Sequence, residues 1–314
     1  MAALLITRRT ALCAFFAPAI AGMSGCTSPL PLNIRRPSAP DQVAAKRLLQ
    51  SAQAHGIDAY RNLRDINVSY DGQWRPLING IQPEVVDAGY RGSSQERLMP
   101  SLGINAQLYQ GPRGSKKVFW RRTVVDAAGT EQADAAGEIA VWRNGVGIDS
   151  APSLDAAALV AESYKLFLLG PLWLFDRGLS VRRVGTESVD GRACDVLEAW
   201  LSPGLGRALQ DRIALCVDRD SSVMRRVRFT LEGFANTQGA VAEVDCFDHV
   251  RQYGVLWPTR SFERVLHPIG LPAHDWRLTG LDVNRGYTPQ DLSGPAFEGA
   301  AAAPAAALSA TLSG

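Results

Sequence analysis

The sequence predicts a mainly β protein of the α+β class that folds as one large domain. Several runs of residues alternate between apolar and polar side chains, which is the pattern of strands in an antiparallel sheet. Turn dipeptides, among them Asn79-Gly80, Asn144-Gly145 and Asp190-Gly191, separate these runs. Residues 41–56 and 153–168 instead have the 3.6-residue spacing of helices.

An export signal precedes the predicted domain. Arg8 and Arg9 come before an apolar run that is too short to span a bilayer, and residues 1–25 contain no acidic residue. Residues 1–25 are therefore predicted to be a cleaved signal peptide. Met23-Ser24-Gly25-Cys26 has the form of a lipobox, which predicts a bacterial lipoprotein that is anchored to a membrane by a lipid on Cys26. The alternative is an ordinary signal peptide that is cleaved elsewhere.

The residues around the lipobox bear on the export route and the destination. The twin arginines are compatible with the Tat route, and the Sec route remains an equal alternative. Thr27 and Ser28 follow Cys26 where an inner-membrane lipoprotein has an Asp. This resembles the sorting signal of outer-membrane lipoproteins, so we expect an envelope protein on the outer membrane that faces the periplasm.

Composition divides the rest of the chain into three parts. Residues 26–40 are rich in Pro and are predicted to be a tether between the lipid and the domain. The domain itself covers residues 41–293 and opens with a helix that Asp41 caps and Gly56 ends. Residues 294–314 contain few large apolar side chains and are predicted to form a disordered tail.

Alternating segments inside the domain predict its strands. The first places Ile66, Val68 and Tyr70 on one face and is predicted to turn at Asp71-Gly72. Charged residues alternate with Val227, Phe229 and Leu231, so one face of that strand is expected to be buried and the other solvated. The remaining predicted strands are residues 102–109, 117–125, 138–142, 192–201, 212–218, 240–250 and 261–266.

The second helical segment runs into the most apolar stretch of the domain. Gly170-Pro171 is predicted to end this helix, which leaves residues 172–175 as a loop with four large apolar side chains. Such a loop can plug the open face of a sheet or form the wall of a ligand cavity, and the two roles are compatible.

The sequence contains no recognisable catalytic or metal-binding motif, and an enzyme is not expected. The four His lack metal-ligand spacing, and His267 and His274 are placed in a Pro-rich loop. Asp218 and Asp220 are explained by hydrogen bonding within a turn. Arg225, Arg226 and Arg228 suggest either a solvated strand face or a contact with an anionic headgroup. No cofactor is predicted.

Charge and cysteine content limit the partners and cross-links. The export signal contains two Arg and no acid, so its removal reduces 33 basic residues to 31, equal to the 31 acidic residues. A neutral chain without a basic stripe is not expected to bind nucleic acid. Beyond Cys26, the domain contains Cys194, Cys216 and Cys246, which are expected to be buried free thiols, with one disulfide as the alternative.

The order of several motifs resembles the LolA/LolB-like superfamily of periplasmic lipoprotein carriers and receptors. The motifs are Tyr60-Arg61-Asn62-Leu63-Arg64-Asp65, Leu168-Leu169-Gly170-Pro171-Leu172-Trp173-Leu174, Val189-Asp190-Gly191-Arg192 and Gly254-Val255-Leu256-Trp257-Pro258-Thr259-Arg260. The resemblance implies a single incomplete antiparallel β-barrel of about eleven strands, whose concave face is covered by helices and binds acyl chains.

These observations together predict an envelope lipoprotein that binds a hydrophobic or amphiphilic ligand, such as a lipid or acyl chain. Ligand binding is assigned to Leu169, Trp173, Phe175 and Trp257, since they lie in or near the apolar stretch and the last motif. A role in lipid or lipoprotein trafficking would follow. The alternative is a structural or assembly lipoprotein that docks an envelope protein complex.

Overall fold

The structure is a computed structural model that describes Leu30 and residues 41–122 and 137–304. The predicted signal peptide, Cys26, the rest of the predicted tether, residues 123–136 and residues 305–314 lie outside the described residues.

Thirteen strands form one antiparallel sheet in the described part of the chain, with the order β6-β5-β4-β3-β2-β1-β13-β12-β11-β10-β9-β8-β7. Their bounds are β1 (Ile66–Trp74), β2 (Ser93–Met99), β3 (Ile104–Gly111), β4 (Gly114–Arg121), β5 (Glu138–Arg143), β6 (Val146–Ile148), β7 (Val181–Val189), β8 (Arg192–Leu201), β9 (Asp211–Asp218), β10 (Met224–Thr230), β11 (Val241–Gln252), β12 (Val255–His267) and β13 (Leu271–Val283). Strands β6 and β7 do not pair, so the sheet is open.

Two meanders meet in the middle of this sheet, where β1 pairs with β13. The chain runs outward from β1 to the edge strand β6, crosses to the opposite edge strand β7 and returns to β13. The crossing is a 26-residue helix, α5 (Ala151–Asp176), which is roughly 39 Å long at 1.5 Å per residue. Because it connects the two edges, this helix must lie across the sheet.

Shorter helices surround the sheet: α1 (Gln42–His55), α2 (Ile57–Arg61), α3 (Pro76–Ile81), α4 (Pro83–Val86) and α6 (Pro289–Ser293). The predicted first helix is confirmed. The Asp41 carboxylate accepts a hydrogen bond from the Ala44 amide at 2.9 Å. Gly56 ends α1 with a φ of 90°, and a Cβ there would lie 2.1 Å from the Gly254 carbonyl oxygen, so only glycine fits.

The predicted fold class is confirmed, since the domain is mainly β, antiparallel and covered by helices on its concave face. The number of strands is thirteen rather than about eleven. The extra strands include β2 and β13, which the sequence pattern did not reveal because polar residues face the interior there. Glu96 on β2 and His274 on β13 are 0% and 3% exposed, and such residues break the alternation.

Two predicted turns are wrong. Strand β1 continues through Asp71-Gly72 to Trp74, because β13 pairs with it along this whole length. Asn79-Gly80 is not a turn between strands but lies inside α3. His274 is in a strand and not in a Pro-rich loop.

Helix α5 does not end at Gly170-Pro171. Gly170 has a φ of 25° and a ψ of −103°, which kinks the helix, and the chain resumes helical geometry through Asp176. Pro171 is tolerated because it begins the second segment, where its missing N–H would have no helical partner. The predicted loop over residues 172–175 is therefore a short helical segment after the kink.

The charged face of β10 is buried, which corrects the predicted solvated face. Arg226 and Arg228 are 8% and 4% exposed. Arg228 Nε donates to Glu243 at 2.7 Å and Arg228 Nη2 to Glu187 at 2.7 Å. Ala214 and Cys216 on β9 pair with these positions, so the long side chains can lie flat and reach a carboxylate on β7. An alternating polar pattern does not distinguish solvent from such an ion-pair network.

Both ends of the described chain lie on the convex face. Leu30 packs in a cluster with Val189, Val196 and Val241. At the other end, residues 294–304 are ordered against the sheet, although composition predicted disorder from residue 294. The Lys117 ammonium donates to the Gly294 carbonyl at 3.2 Å, and the Leu281 amide to the Ala303 carbonyl at 3.1 Å. Backbone hydrogen bonds of this kind do not require large apolar side chains.

Candidate functional site

Helix α5 fills the concave face of the sheet. Residues 156–174 of this helix are all buried, although one 18-residue window is apolar enough to cross a bilayer. Because 94% of that window is buried inside the domain, α5 is placed as a core helix. The interior of the half-barrel is thus occupied by the chain itself.

The four predicted ligand-binding residues belong to the main hydrophobic core. Trp257 and Leu169 are 0% and 1% exposed, Trp173 is 7% exposed and Phe175 packs at the edge of the same cluster. The Trp257 indole donates to the Gln252 carbonyl at 2.9 Å. The structure brings all four into one cluster, and none of them lines the cavities described below. Their role in ligand binding stays a prediction.

A buried ion cluster holds the first half of α5. The Glu162 carboxylate is 0% exposed and accepts hydrogen bonds from Trp120 Nε1 at 2.7 Å, Arg122 Nη2 at 2.9 Å and Lys165 Nζ at 2.6 Å. Burial alone would raise the pKa of Glu162, but Arg122 and Lys165 outweigh it and lower the pKa to about 2. The carboxylate is ionised in the folded protein. The Asn105 side chain also binds the Ala161 carbonyl at 2.5 Å.

The second half of α5 meets the sheet through apolar side chains. Leu172 and Leu174 are 1% and 0% exposed in the main hydrophobic core, and just before the kink the Phe167 ring lies tilted 5.1 Å from Phe229 and 5.5 Å from Trp276, centroid to centroid. Within the described residues, no side-chain hydrogen bond joins residues 166–175 to a strand. The end of the helix has the exposed ion pair between Arg61 and Asp176 at 2.9 Å. Non-directional burial therefore holds this half in place.

A small cavity of about 20 Å³ opens between β1, β2, β3, β13 and α5. Trp74, His274 and Trp276 stack along one side, with centroid distances of 4.3 and 4.8 Å. The Arg91 guanidinium lies 4.1 Å from the centroid of Tyr109 and 5.7 Å from that of Trp74. The remaining lining residues are Tyr70, Gly72, Gly92, Ser94 and Tyr164.

The charge of Arg91 has no ion-pair partner within the described residues. Burial raises the pKa of Glu96 to about 8 and that of Glu263 to about 7, so Glu96 is protonated at neutral pH. The nearby Asp87 carboxylate instead binds Lys116 at 2.7 Å and Arg143 at 2.9 Å. Burial also lowers the pKa of His274 well below its ordinary value, which keeps that ring neutral.

An open groove of about 620 Å³ adjoins the small cavity. Gly89 and Tyr90 line the groove, and the next two residues, Arg91 and Gly92, line the cavity. Helices α3 and α4 and the start of α5 border it. Its volume lies within the range of small-molecule binding sites, about 300–1,000 Å³.

The titratable residues that the sequence drew attention to have structural roles. The Asp218 carboxylate accepts hydrogen bonds from the Asp220 and Ser221 amides at 2.9 and 3.1 Å, which confirms the predicted turn. Cys194, Cys216 and Cys246 are buried and free, as predicted. Within the described ranges, no group of three His, Cys, Asp or Glu residues is arranged to hold a metal ion.

Comparisons with known proteins were made for the fold and for the sequence. No family model matches the chain, and no curated protein matches it. A DUF1329 family protein from Desulfovibrio piger is similar, with 13% identity over 80% of this chain and 96% of that chain and a TM-score of 0.47. A LolA superfamily protein from Nitrosomonas europaea is 9% identical over 82% of this chain and 98% of that chain, with a TM-score of 0.37.

The second of these proteins belongs to the superfamily that the sequence motifs resemble.

Sequence reasoning missed the cavity around Arg91. Its lining residues come from β1, β2, β3, β13 and α5, which are up to about two hundred positions apart along the chain. Trp74 could have indicated this cavity, since a Trp at the end of an alternating run is unusual in a solvent-exposed turn. It was not considered as part of a strand because a turn was predicted at Asp71-Gly72.

Proposed function

We propose that the chain is a non-catalytic envelope lipoprotein that binds a hydrophobic or amphiphilic ligand between the concave face of the sheet and the second half of α5. The ligand would be a lipid or an acyl chain, and trafficking of lipids or lipoproteins would be the resulting role.

The observation that carries this proposal is the apolar core that residues 172–175, after the kink at Gly170, share with strands β7–β12. Leu197, Leu215, Val227 and Phe229 on the sheet are each at most 1% exposed and belong to the same buried cluster as Leu172 and Leu174. Since α5 fills the concave face and residues 172–174 are fully packed in the core, an acyl chain needs the segment to move. Gly170 divides the segment from the anchored half of the helix and supplies a hinge.

Apolar burial makes such an exchange possible. Burial stabilises apolar surface by about 25 cal/mol per Å², whether the covering group is a side chain or an acyl chain. A ligand that replaces Leu172, Leu174 and Phe175 therefore restores most of the burial that the sheet loses. The exchange breaks the exposed Arg61–Asp176 pair, which is worth roughly 0–1 kcal/mol. It also breaks the cation–π contacts of Arg61 with Phe175 and of Lys165 with Trp173, in which the charged groups lie 5.5 and 4.5 Å from the ring centroids.

The direct experiment uses residues 27–314, which contain every described residue. Lipids extracted from the purified chain are identified by mass spectrometry, and the delipidated chain is titrated with palmitate. We expect a co-purifying lipid or saturable palmitate binding. A ligand-free chain that also fails to take up palmitate would contradict the proposal.

A matched pair of variants locates the binding site. Leu169 and Ile104 are each 1% exposed, but Leu169 faces the concave core and Ile104 lies in the cluster beneath the C-terminal segment. Leu169→Ala should alter palmitate affinity several-fold, while Ile104→Ala should leave it unchanged despite a similar loss of stability. Equal effects of both variants would place the ligand elsewhere.

The proposed anchor sets the orientation of the domain. Leu30 packs on the convex face, four residues after Cys26, and four extended residues span at most about 14 Å. A lipid on Cys26 would therefore keep the convex face of β7–β11 near the bilayer and leave the concave side pointing away. The connection between the lipid and the domain would then be residues 26–29, shorter than the tether predicted over residues 26–40.

Two measurements test the anchor. Cys26→Ala should move the protein from the membrane fraction to the soluble fraction with its fold intact. Nitroxide labels at Arg192→Cys, beside the Leu30 cluster, and at Val43→Cys, on α1, compare the two sides. We expect the label at position 192 to lie closer to the headgroups, and the opposite order would overturn the orientation.

The filled concave face also favours the second candidate, a structural lipoprotein that docks an envelope protein complex. In that case α5 is a permanent core element. A lipid-free chain whose α5 amides stay protected in the presence of palmitate would favour this function.

A further inference from the structure

We propose that the cavity beside Arg91 is a binding site for an oxyanion, either a carboxylate or a phosphate. This site lies on the β1–β3 side of the sheet, and the inference does not depend on acyl-chain binding under the second half of α5.

Two buried donors in this cavity lack acceptors. The Nε of Arg91 and the Nε1 of Trp74 are both inaccessible to solvent and form no hydrogen bond. Arg91 and Trp74 both line the cavity, and the guanidinium lies over the indole ring at 5.7 Å. Buried donors are almost always paired in native proteins, so two unpaired ones beside one cavity indicate an absent acceptor.

The local charge favours an anion as that acceptor. Arg91 is positive, and the Asp87 carboxylate is bound by Lys116 and Arg143. Burial raises the pKa of Glu96 to about 8 and that of Glu263 to about 7, so Glu96 is neutral and Glu263 is only partly ionised at pH 7. A neutral acceptor would satisfy the donors but leave the guanidinium only partly compensated. Guanidinium and carboxylate or phosphate groups form the strongest hydrogen bonds available to proteins.

The volume of the cavity admits only a small chemical group. A cavity of about 20 Å³ admits an atom or two, such as the oxygen of a carboxylate or phosphate, and not a whole metabolite. The rest of the ligand would lie in the adjoining groove of about 620 Å³. Gly72 permits this arrangement, because a Cβ there would come within 2.7 Å of His274 Nε2 and 2.8 Å of the Asp275 carbonyl oxygen.

The test measures binding to the mature lipoprotein in nonionic detergent micelles by calorimetry. The probes are inorganic phosphate, acetate and dihexanoyl phosphatidic acid. Arg91→Gln should weaken binding roughly 10- to 100-fold, because it removes a charge-assisted pair of hydrogen bonds. Trp74→Phe keeps the ring and removes only the N–H, so it should weaken binding by a smaller factor. Arg121→Gln removes an exposed arginine on β4 and should change affinity less than twofold.

The three probes separate the sources of the anion. Binding of phosphate or acetate with an affinity similar to that of the lipid indicates a site for free anions. Binding of phosphatidic acid alone indicates a lipid headgroup. Either result supports the site if Arg91→Gln abolishes it while circular dichroism shows a folded variant. The proposal is overturned if the native protein binds none of the probes, or if Arg91→Gln and Trp74→Phe both bind them as tightly as the native protein does.

Discussion

The two halves of helix α5 are held by different chemistry. Before Gly170, Glu162 joins Trp120 and Arg122 in a buried ion cluster, and the Ala161 carbonyl accepts from Asn105. After Gly170, the helix contacts the sheet through apolar side chains and ends at an exposed ion pair. Directional bonds fix a helix in one position, whereas apolar contacts can be exchanged. We therefore interpret the first half as the anchor and the second half as the part that a ligand can displace.

The largest expected effect is in the anchored half. Glu162→Gln leaves Arg122 and Lys165 buried beside a neutral amide, and we expect a loss of about 3–5 kcal/mol in the free energy of unfolding at pH 7. Urea unfolding provides the measurement. Glu96→Gln is the matched control, because Glu96 is equally buried and already neutral, so its free energy should change by less than about 1 kcal/mol. Equal losses of stability in the two variants would contradict the assignment of Glu162 as ionised and Glu96 as neutral.

In the second half of α5 we expect a smaller loss in the free energy of unfolding, which a ligand should partly reverse. Leu174→Ala, at a fully buried position, should cost about 2–4 kcal/mol. Because apolar contacts are exchangeable, palmitate should restore part of this loss in a thermal unfolding experiment. Palmitate should not restore the stability that the Glu162→Gln variant loses. Rescue of both variants or of neither would contradict the contrast between the halves.

Acid should weaken the strands beneath α1. His249 and His55 meet edge to face, with ring centroids 6.1 Å apart. Burial lowers the pKa of His249 to about 3 and that of His55 to about 4. The unfolded chain binds these protons below its pKa of about 6.5 while the folded protein does not, so stability falls as the pH decreases from about 6.5 to 4. Relative to His249→Gln, the native protein should lose roughly 1–3 kcal/mol over this range.

The smallest effect is expected at the end of α5. Asp176→Asn removes the exposed pair with Arg61 and should change the free energy of unfolding by less than about 1 kcal/mol. It should nevertheless speed palmitate uptake in a stopped-flow measurement, because this pair is the polar tie at the end of the mobile segment. Uptake at the native rate would remove the pair from the opening step.

The sequence predicted those features that local patterns determine. Asp41 and Gly56 bound the first helix because capping depends on neighbouring residues, and strands β8–β11 were predicted because most of their concave side chains are apolar. The strands of the first meander were harder to predict from the sequence. Glu96 and Gln107 are buried there, and polar residues inside a core have the same local pattern as residues in a loop.

The candidate sites depended even more on tertiary contacts. Leu169, Trp173, Phe175 and Trp257 share one cluster, which the apolar stretch anticipated. Whether they contact a ligand or only each other depends on the position of α5. The hydropathy of the sequence does not show that the helix kinks at Gly170 and then continues. The Arg91 cavity brings together side chains from five distant elements, and no local spacing encodes that arrangement.

The central claim is that ligand binding displaces the second half of α5 and leaves the first half in place. Hydrogen–deuterium exchange on residues 27–314, with and without saturating palmitate, tests it most directly. We predict faster exchange at the amides of residues 172–176 and unchanged protection at residues 156–165. Saturation with palmitate that leaves residues 172–176 fully protected, or that exposes both halves of the helix equally, would contradict the account.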